Sequence, residues 1–171
     1  MRYVARYESP IGPVTLASDG ERLVGLWFDG QRYDRAALAD EELANLDLPI
    51  FAETRRWLDL YFSGAAPDFT PPLKLEGTTL RREVGALMLA IPYGQTTTYG
   101  ALAQRVAERR GRGRSSARAV GGAVAHNPIS LVVPCHRVIG AKGKLTGYAG
   151  GLEKKIWLLQ HEGVALDQLS R

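Results

Sequence analysis

The hydrophobic pattern of this chain changes period once, and a proline-rich stretch marks the change. Before it, strand-like runs occupy Tyr3–Tyr7, Val14–Ser18 and Leu23–Phe28, the first of them alternating. Ser9-Pro10-Ile11-Gly12-Pro13, Asp19-Gly20 and Asp29-Gly30 punctuate them, as turn-forming residues do. A period of two lays one strand face on a core, so the opening segment predicts a small β-meander. Asp34–Leu46 is polar and open to a short helix or a loop, and Phe51–Phe62 reads as a helix. Ser63–Pro72, with three prolines and a glycine, reads as a linker between two domains, 1–72 and 73–171.

Beyond the linker the period is helical. Leu80, Val84, Leu87, Met88 and Ile91 fall on one helix face, and Ile91-Pro92-Tyr93-Gly94 ends that helix because the residue before proline leaves the helical region. Thr98 suits the N-cap of a second helix, with Tyr99, Leu102, Ala103 and Val106 on one side. After a glycine-arginine loop, Arg109–Arg114, either Ser115 or Ser116 caps a third helix that stops at Asn127-Pro128. Two short helices joined by a loop predict a helix-turn-helix variant. A last helix spans about Leu152–Gln160, with Leu152, Ile156 and Leu159 inward. The fold class is α+β: a meander with a helix, then a mostly helical domain.

Charge follows the same division. Residues 1–80 hold 8 Lys/Arg against 13 Asp/Glu, and residues 81–171 hold 14 against 5, so a net of +4 conceals −5 and +9. A basic half suits a polyanionic partner, and equally a merely solubilising surface. No apolar stretch approaches the ~20 residues of a membrane helix, and the N-terminus lacks the apolar core of a signal peptide. The expected location is the cytoplasm, where a lone thiol stays reduced.

That thiol is Cys135, in Leu131-Val132-Val133-Pro134-Cys135-His136-Arg137-Val138-Ile139. Lone cysteines are usually small core residues. Here apolar strand-like residues lead into it, and His136 and Arg137 follow at once, a setting that suits a stabilised thiolate. With one cysteine and only His126, His136 and His161, no zinc site is expected.

Pro134-Cys135-His136-Arg137-Val138 resembles the acceptor motif of the 6-O-alkylguanine-DNA alkyltransferases, the methylated-DNA–protein-cysteine methyltransferases. The same family's order and spacing run through Ile91-Pro92-Tyr93-Gly94, Thr98-Tyr99-Gly100-Ala101-Leu102-Ala103 and Ala117-Arg118-Ala119-Val120-Gly121-Gly122-Ala123. They continue through Asn127-Pro128, Gly147-Tyr148-Ala149-Gly150-Gly151-Leu152 and His161-Glu162-Gly163. Each string alone is weak; their ordered convergence is specific.

The resemblance implies a ribonuclease H-like first domain and a winged-helix-like, DNA-binding, alkyl-accepting second one. It implies repair of 6-O-alkylguanine, with 4-O-alkylthymine as a second lesion. The base is flipped from duplex DNA and its alkyl group passes irreversibly to Cys135, in one turnover and without a cofactor. Binding would be through the minor groove, by a monomer, with clustering along DNA left open. In this reading His136 activates Cys135 through a bridging water, Glu162 orients His136, and Asn127 braces the turn. Tyr99 sits by the phosphate 3′ to the flipped nucleotide and donates a proton as guanine leaves. Arg118 fills the vacated stack, and Tyr148, Ala149 and Val124 surround the base. Ala117, Ala119, Gly121, Gly122, Ser115 and Ser116 complete the DNA-facing surface.

The residues by themselves allow plainer roles. Adjacent glycines cost a helix ~1 kcal/mol each, which suits close approach to a minor groove about 6 Å wide or tight helix packing equally. Tyr99 reads as a half-buried aromatic, Asn127 as a turn former, Glu162 as a surface charge and Gly147–Gly151 as a flexible turn. Arg137 is expected to pair with a carboxylate in the fold. Leu80 and Gly85 stand where the family usually has phenylalanine and tryptophan, Arg81 replaces glutamine, and the glycine-arginine loop is longer than usual. Competing readings are a damage sensor, in which the cysteine is replaced, a helix-turn-helix regulator, and a cysteine hydrolase, whose Cys and His normally lie on separate segments.

Overall fold

Alternation becomes strand in the opening segment. In the computed structural model, which describes residues 2–31, 42–44, 47–111 and 116–170, β1 (Arg2–Ser9), β2 (Gly12–Ser18) and β3 (Leu23–Phe28) form antiparallel neighbours. Tyr7 opposes Val14 and Leu16 opposes Leu26. A three-residue strand, β4 (Glu42–Ala44), adds parallel to β1, giving the order β3-β2-β1-β4. β4 falls where the sequence admitted only a helix or a loop; three residues are too few to show a period. The rest of Asp34–Leu46 lies outside the described residues.

Every residue of β3 is buried, and its outer edge is occupied. Leu23 N donates to Pro72 O at 2.8 Å and Leu23 O accepts from Lys74 N at 2.9 Å. Three residues on, Leu26 N donates to Pro128 O at 2.9 Å and Leu26 O accepts from Ser130 N at 2.8 Å. Two short pieces of chain thus satisfy backbone groups that an open edge would present to other strands. Helix α1 (Pro49–Phe62), with proline in its first turn where the missing N–H costs nothing, buries Ile50, Phe51, Trp57, Leu58 and Tyr61 and packs on these strands.

The helical half starts each of its first three helices on a hydroxyl. Thr78 accepts from Arg81 N at α2 (Thr79–Leu89), Thr98 from Ala101 N at α3 (Tyr99–Arg109), and Ser116 from Ala119 N at α4 (Ala117–Ala125). The three helices pack on one another. Where the family usually carries tryptophan, Gly85 is buried, and a Cβ there would stand 3.1 Å from Leu75. Leu75, just ahead of α2, fills that space. Helix α5 (Leu152–His161) buries Lys155, Leu158 and Leu159, so its inner face is turned from the expected Leu152-Ile156-Leu159 line.

The run into Cys135 is not a strand. Ile129 makes one bridge to Leu26, Leu131 turns into the left-handed region at φ 69°, and Cys135–Arg137 forms a 3-10 turn. The segment is apolar because it is buried, and burial carries no period. After the turn, β6 (Val138–Ile139) pairs parallel with β5 (Thr97–Thr98), which brings the first residue of α3 alongside the cysteine turn. The chain divides into two compact units, Met1–Lys74 with Pro128–Val132, and Leu75–Asn127 with Val133–Arg171. No helix among the described residues is long and apolar enough to cross a membrane.

Candidate active site

Cys135 opens its 3-10 turn with its backbone N–H bonded to Val133 O at 2.8 Å, and is 5% exposed. Asn127 bridges the base of the turn: its Nδ2 donates to Val133 O at 2.8 Å, and its side chain also hydrogen-bonds the sulfur. Burial pushes the thiol above its ordinary range, while Asn127, the Lys155 charge and the Tyr148 side chain pull it down without reversing the shift. The resting group is therefore a thiol, which needs a base before it can act as a nucleophile.

Burial thus works against the stabilised thiolate expected from sequence neighbours. Neither His136 nor Arg137 supplies the nearby charge, because both turn toward Glu162. His136 Nε2 lies 2.5 Å from Glu162 Oε2. Arg137 Nε donates to Glu162 Oε1 at 2.8 Å and Nη2 to Oε2 at 3.2 Å, and Gly94 N donates to Oε1 at 2.9 Å. Glu162, a surface charge by residue type alone but the orienter of His136 by resemblance, has a side chain with no exposure at all. Burial alone would raise its carboxyl, but the His136 and Arg137 contacts hold it at about 2. Burial lowers His136 and outweighs the pull of Glu162, so the ring rests neutral. A neutral ring that donates from Nε2 carries its lone pair on Nδ1.

The cation that acts on the sulfur is Lys155, which the sequence reading passed over. Its Nζ donates to Val138 O at 2.7 Å and Gly147 O at 3.3 Å. Burial lowers it to about 8, with the cysteine charge opposing. The available signal was a lysine on the apolar stripe of α5, three residues after Leu152 and three before Leu158.

Tyr99, half-buried at the start of α3, places its hydroxyl 3.1 Å from Thr146 Oγ1. Thr146 donates its own proton to Leu145 O at 2.6 Å, so Tyr99 is the donor in that pair. Burial raises the Tyr99 hydroxyl, as does the nearby Cys135, which keeps it protonated at neutral pH. Thr146 was also missed; it is held left-handed at φ 58°, a backbone state its residue type does not signal. On α4, Ala117, Arg118, Ala119 and Gly122 are exposed. The two glycines differ: a Cβ on Gly121 would touch the Tyr99 ring at 3.8 Å, whereas around Gly122 nothing described lies within 4 Å. Ser116 caps α4, Ser115 lies outside the described residues, Val124 is buried, and Ala149 is half-buried beside Tyr148.

A thiol backed by a buried His–Glu pair sits in one unit with an exposed, nearly bare helix. Residues 79–164 match the family model of the 6-O-methylguanine DNA methyltransferase DNA binding domain, and residues 2–75 match that of its ribonuclease-like domain. The chain belongs to the 6-O-methylguanine DNA methyltransferase family. A Methylated-DNA--protein-cysteine methyltransferase of Methanosarcina acetivorans is 43% identical over 162 residues, 94% of this chain and 98% of that protein. One from Mycobacterium leprae is 43% identical over 157 residues, 91% of this chain and 88% of that one. The crystal structure of Mycobacterium tuberculosis OGT in complex with DNA superposes with a TM-score of 0.82 at 38% identity, covering 98% of this chain and 94% of that one. In this methyltransferase-family chain, the DNA-binding-domain match includes the cysteine turn, α4 and Glu162.

Proposed function

We propose that this protein repairs duplex DNA by taking the alkyl group of 6-O-alkylguanine onto Cys135, once and irreversibly. The observation that carries the reading is the buried His136–Glu162 pair behind the only cysteine of the chain. The thiol passes its proton, through a bridging water, to His136 Nδ1, and the imidazolium that forms is stabilised by ionised Glu162. Thiolate then attacks the alkyl carbon, the C–O bond breaks, and guanine leaves with a proton from Tyr99. The resulting thioether is chemically stable, so one molecule repairs one lesion.

The damaged base must leave the stack to reach a buried sulfur, at a cost of a few kcal/mol. Arg118 on exposed α4 fills the gap, and Ala117, Ala119, Gly121 and Gly122 admit the helix to the minor groove. Gly122 supports this, since packing among the described residues gives no reason for a glycine there. The net +9 of residues 81–171 suits the phosphates. Tyr148, Ala149 and Val124 surround the extruded base. Incubation with excess methylguanine duplex, read by intact mass, should add one methyl group and then stop, and Cys135→Ala should gain none. Multiple turnovers, or modification elsewhere, overturns the reading.

A further inference from the structure

Alkyl transfer as read above needs a free lone pair on His136 Nδ1, and a buried histidine–carboxylate pair does not guarantee one. The pair has two arrangements that differ by one proton. In one, the ring's proton on Nε2 faces an ionised Glu162, and Nδ1 is an acceptor. When the pair takes up one further proton from water, Glu162 becomes a neutral acid that donates to Nε2, the ring's single proton sits on Nδ1, and the core then carries no carboxylate charge, an arrangement that burial favours. Only the first ring can take a proton from the thiol side.

We propose that Arg137, seconded by the backbone N–H of Gly94, is a positioning residue for transfer, because its forked grip on Glu162 fixes the His136 proton on Nε2. The proposal rests on the alkyl-transfer reading. Arg137 spans both carboxylate oxygens, at 2.8 and 3.2 Å, the two-pronged geometry in which a guanidinium stabilises a carboxylate over its neutral acid. The guanidinium is itself held, with Nη1 donating to Ile91 O at 2.8 Å and its carbon 5.7 Å from the centre of the Tyr93 ring. Gly94 adds its N–H from a left-handed φ of 77°, and a Cβ there would stand 3.0 Å from the Glu162 carbonyl oxygen. The Ile91–Gly94 turn is therefore pressed onto the end of α5.

The charged and titratable groups around His136 act together. Arg137 beside it and Lys155 from α5 both oppose a second positive charge on the ring, and Tyr93 faces the carboxylate from the turn. The ring is neutral at rest, and its tautomer is decided by whichever group sets the charge of Glu162. Two successive residues of one 3-10 turn hold that carboxylate from two sides, one as the proton carrier and one as the charge that tells the carrier which nitrogen to leave open.

The test uses full-length, 15N-labelled protein. Long-range 1H–15N spectra at pH 7 should show His136 protonated on Nε2 and bare on Nδ1. In Arg137→Gln the pair should take up a proton from water, leaving Glu162 neutral and the ring protonated on Nδ1, and transfer from free benzylguanine should slow by about tenfold or more. Arg137→Lys, which keeps the charge, should restore the Nε2 proton and most of the lost rate. If Arg137→Gln does not fold, the wild-type and Arg137→Lys spectra decide alone, since Nδ1-protonated rings there overturn the proposal. An Arg137→Gln protein with unchanged tautomer and rate overturns it as well, as does Arg137→Lys behaving like Arg137→Gln. Wild-type protein that takes no methyl group from a methylguanine duplex would defeat the repair reading instead, whatever the ring shows.

Discussion

Replacing Glu162 by glutamine removes a buried charge whose worth is calculable. The carboxyl is lowered from 4.5 to about 2: burial pushes it up, and the His136 and Arg137 contacts outweigh burial. At ~1.4 kcal/mol per pKa unit, this is about 3 kcal/mol of folding stability at neutral pH. The sign follows from a depressed carboxyl. The contribution is fully present above the unfolded value of 4.5 and is lost as pH falls toward 2. Glutamine cannot titrate, so the stability gap between wild type and Glu162→Gln should be about 3 kcal/mol at pH 7 and should narrow steadily below pH 4.5. Urea unfolding followed by circular dichroism, at pH 7 and at steps down to pH 3, measures that gap. A gap under 1 kcal/mol at pH 7, or one equally wide at pH 3, would refute the buried-carboxylate account. Transfer should slow by about a hundredfold or more, the usual worth of a general base, with DNA affinity nearly unchanged.

Arg118→Ala should slow repair of duplex DNA far more than reaction with free benzylguanine, which needs no extrusion; equal slowing on both would remove Arg118 from the flipping step. Lys155→Met removes the cation acting on the sulfur, and each unit by which the thiol rises costs about tenfold in thiolate. Transfer from benzylguanine at pH 7 should fall by about that much and recover as pH rises toward 9. Wild type should gain less over that range, because its own lysine loses charge near 8; identical pH profiles would show that Lys155 only braces the loop.

The local half of this structure was legible and the convergent half was not. Thr78, Thr98 and Ser116 announce their helices because a cap satisfies an N–H three residues away. β1, β2 and β3 show themselves as short strand-like runs of six to eight residues between turn residues. Cys135 and His136 stood out from their own run and Glu162 through family resemblance, but their charges were not readable from neighbourhood. Arg137 adjoins the cysteine in sequence and binds Glu162, the carboxylate pairing expected of it, while Lys155, twenty residues on, supplies the charge at the sulfur. Chain order does not encode which way a 3-10 turn points its side chains. The Leu131–Val133 stretch misled because apolar content reports depth, and the left-handed Leu131 leaves no mark in residue type.

The short stretch Pro128–Val132 bears on how such a protein can be recombined. It leaves the helical unit after Asn127, lays Ile129 beside Leu26 in the other unit, and returns at Val133. Asn127 and Val133 are joined to each other by a side-chain hydrogen bond, so the excursion is a loop tied at its neck. A chimaera made by a single crossover near Leu75 would pair one parent's β3 with the other parent's Ile129 segment. Successful exchange of the first unit between relatives therefore calls for two exchanged segments joined at three crossovers, the second segment carrying only a handful of codons. Those codons stop immediately upstream of the Val133–Cys135 turn, where a misplaced junction would disturb the nucleophile as well as the sheet.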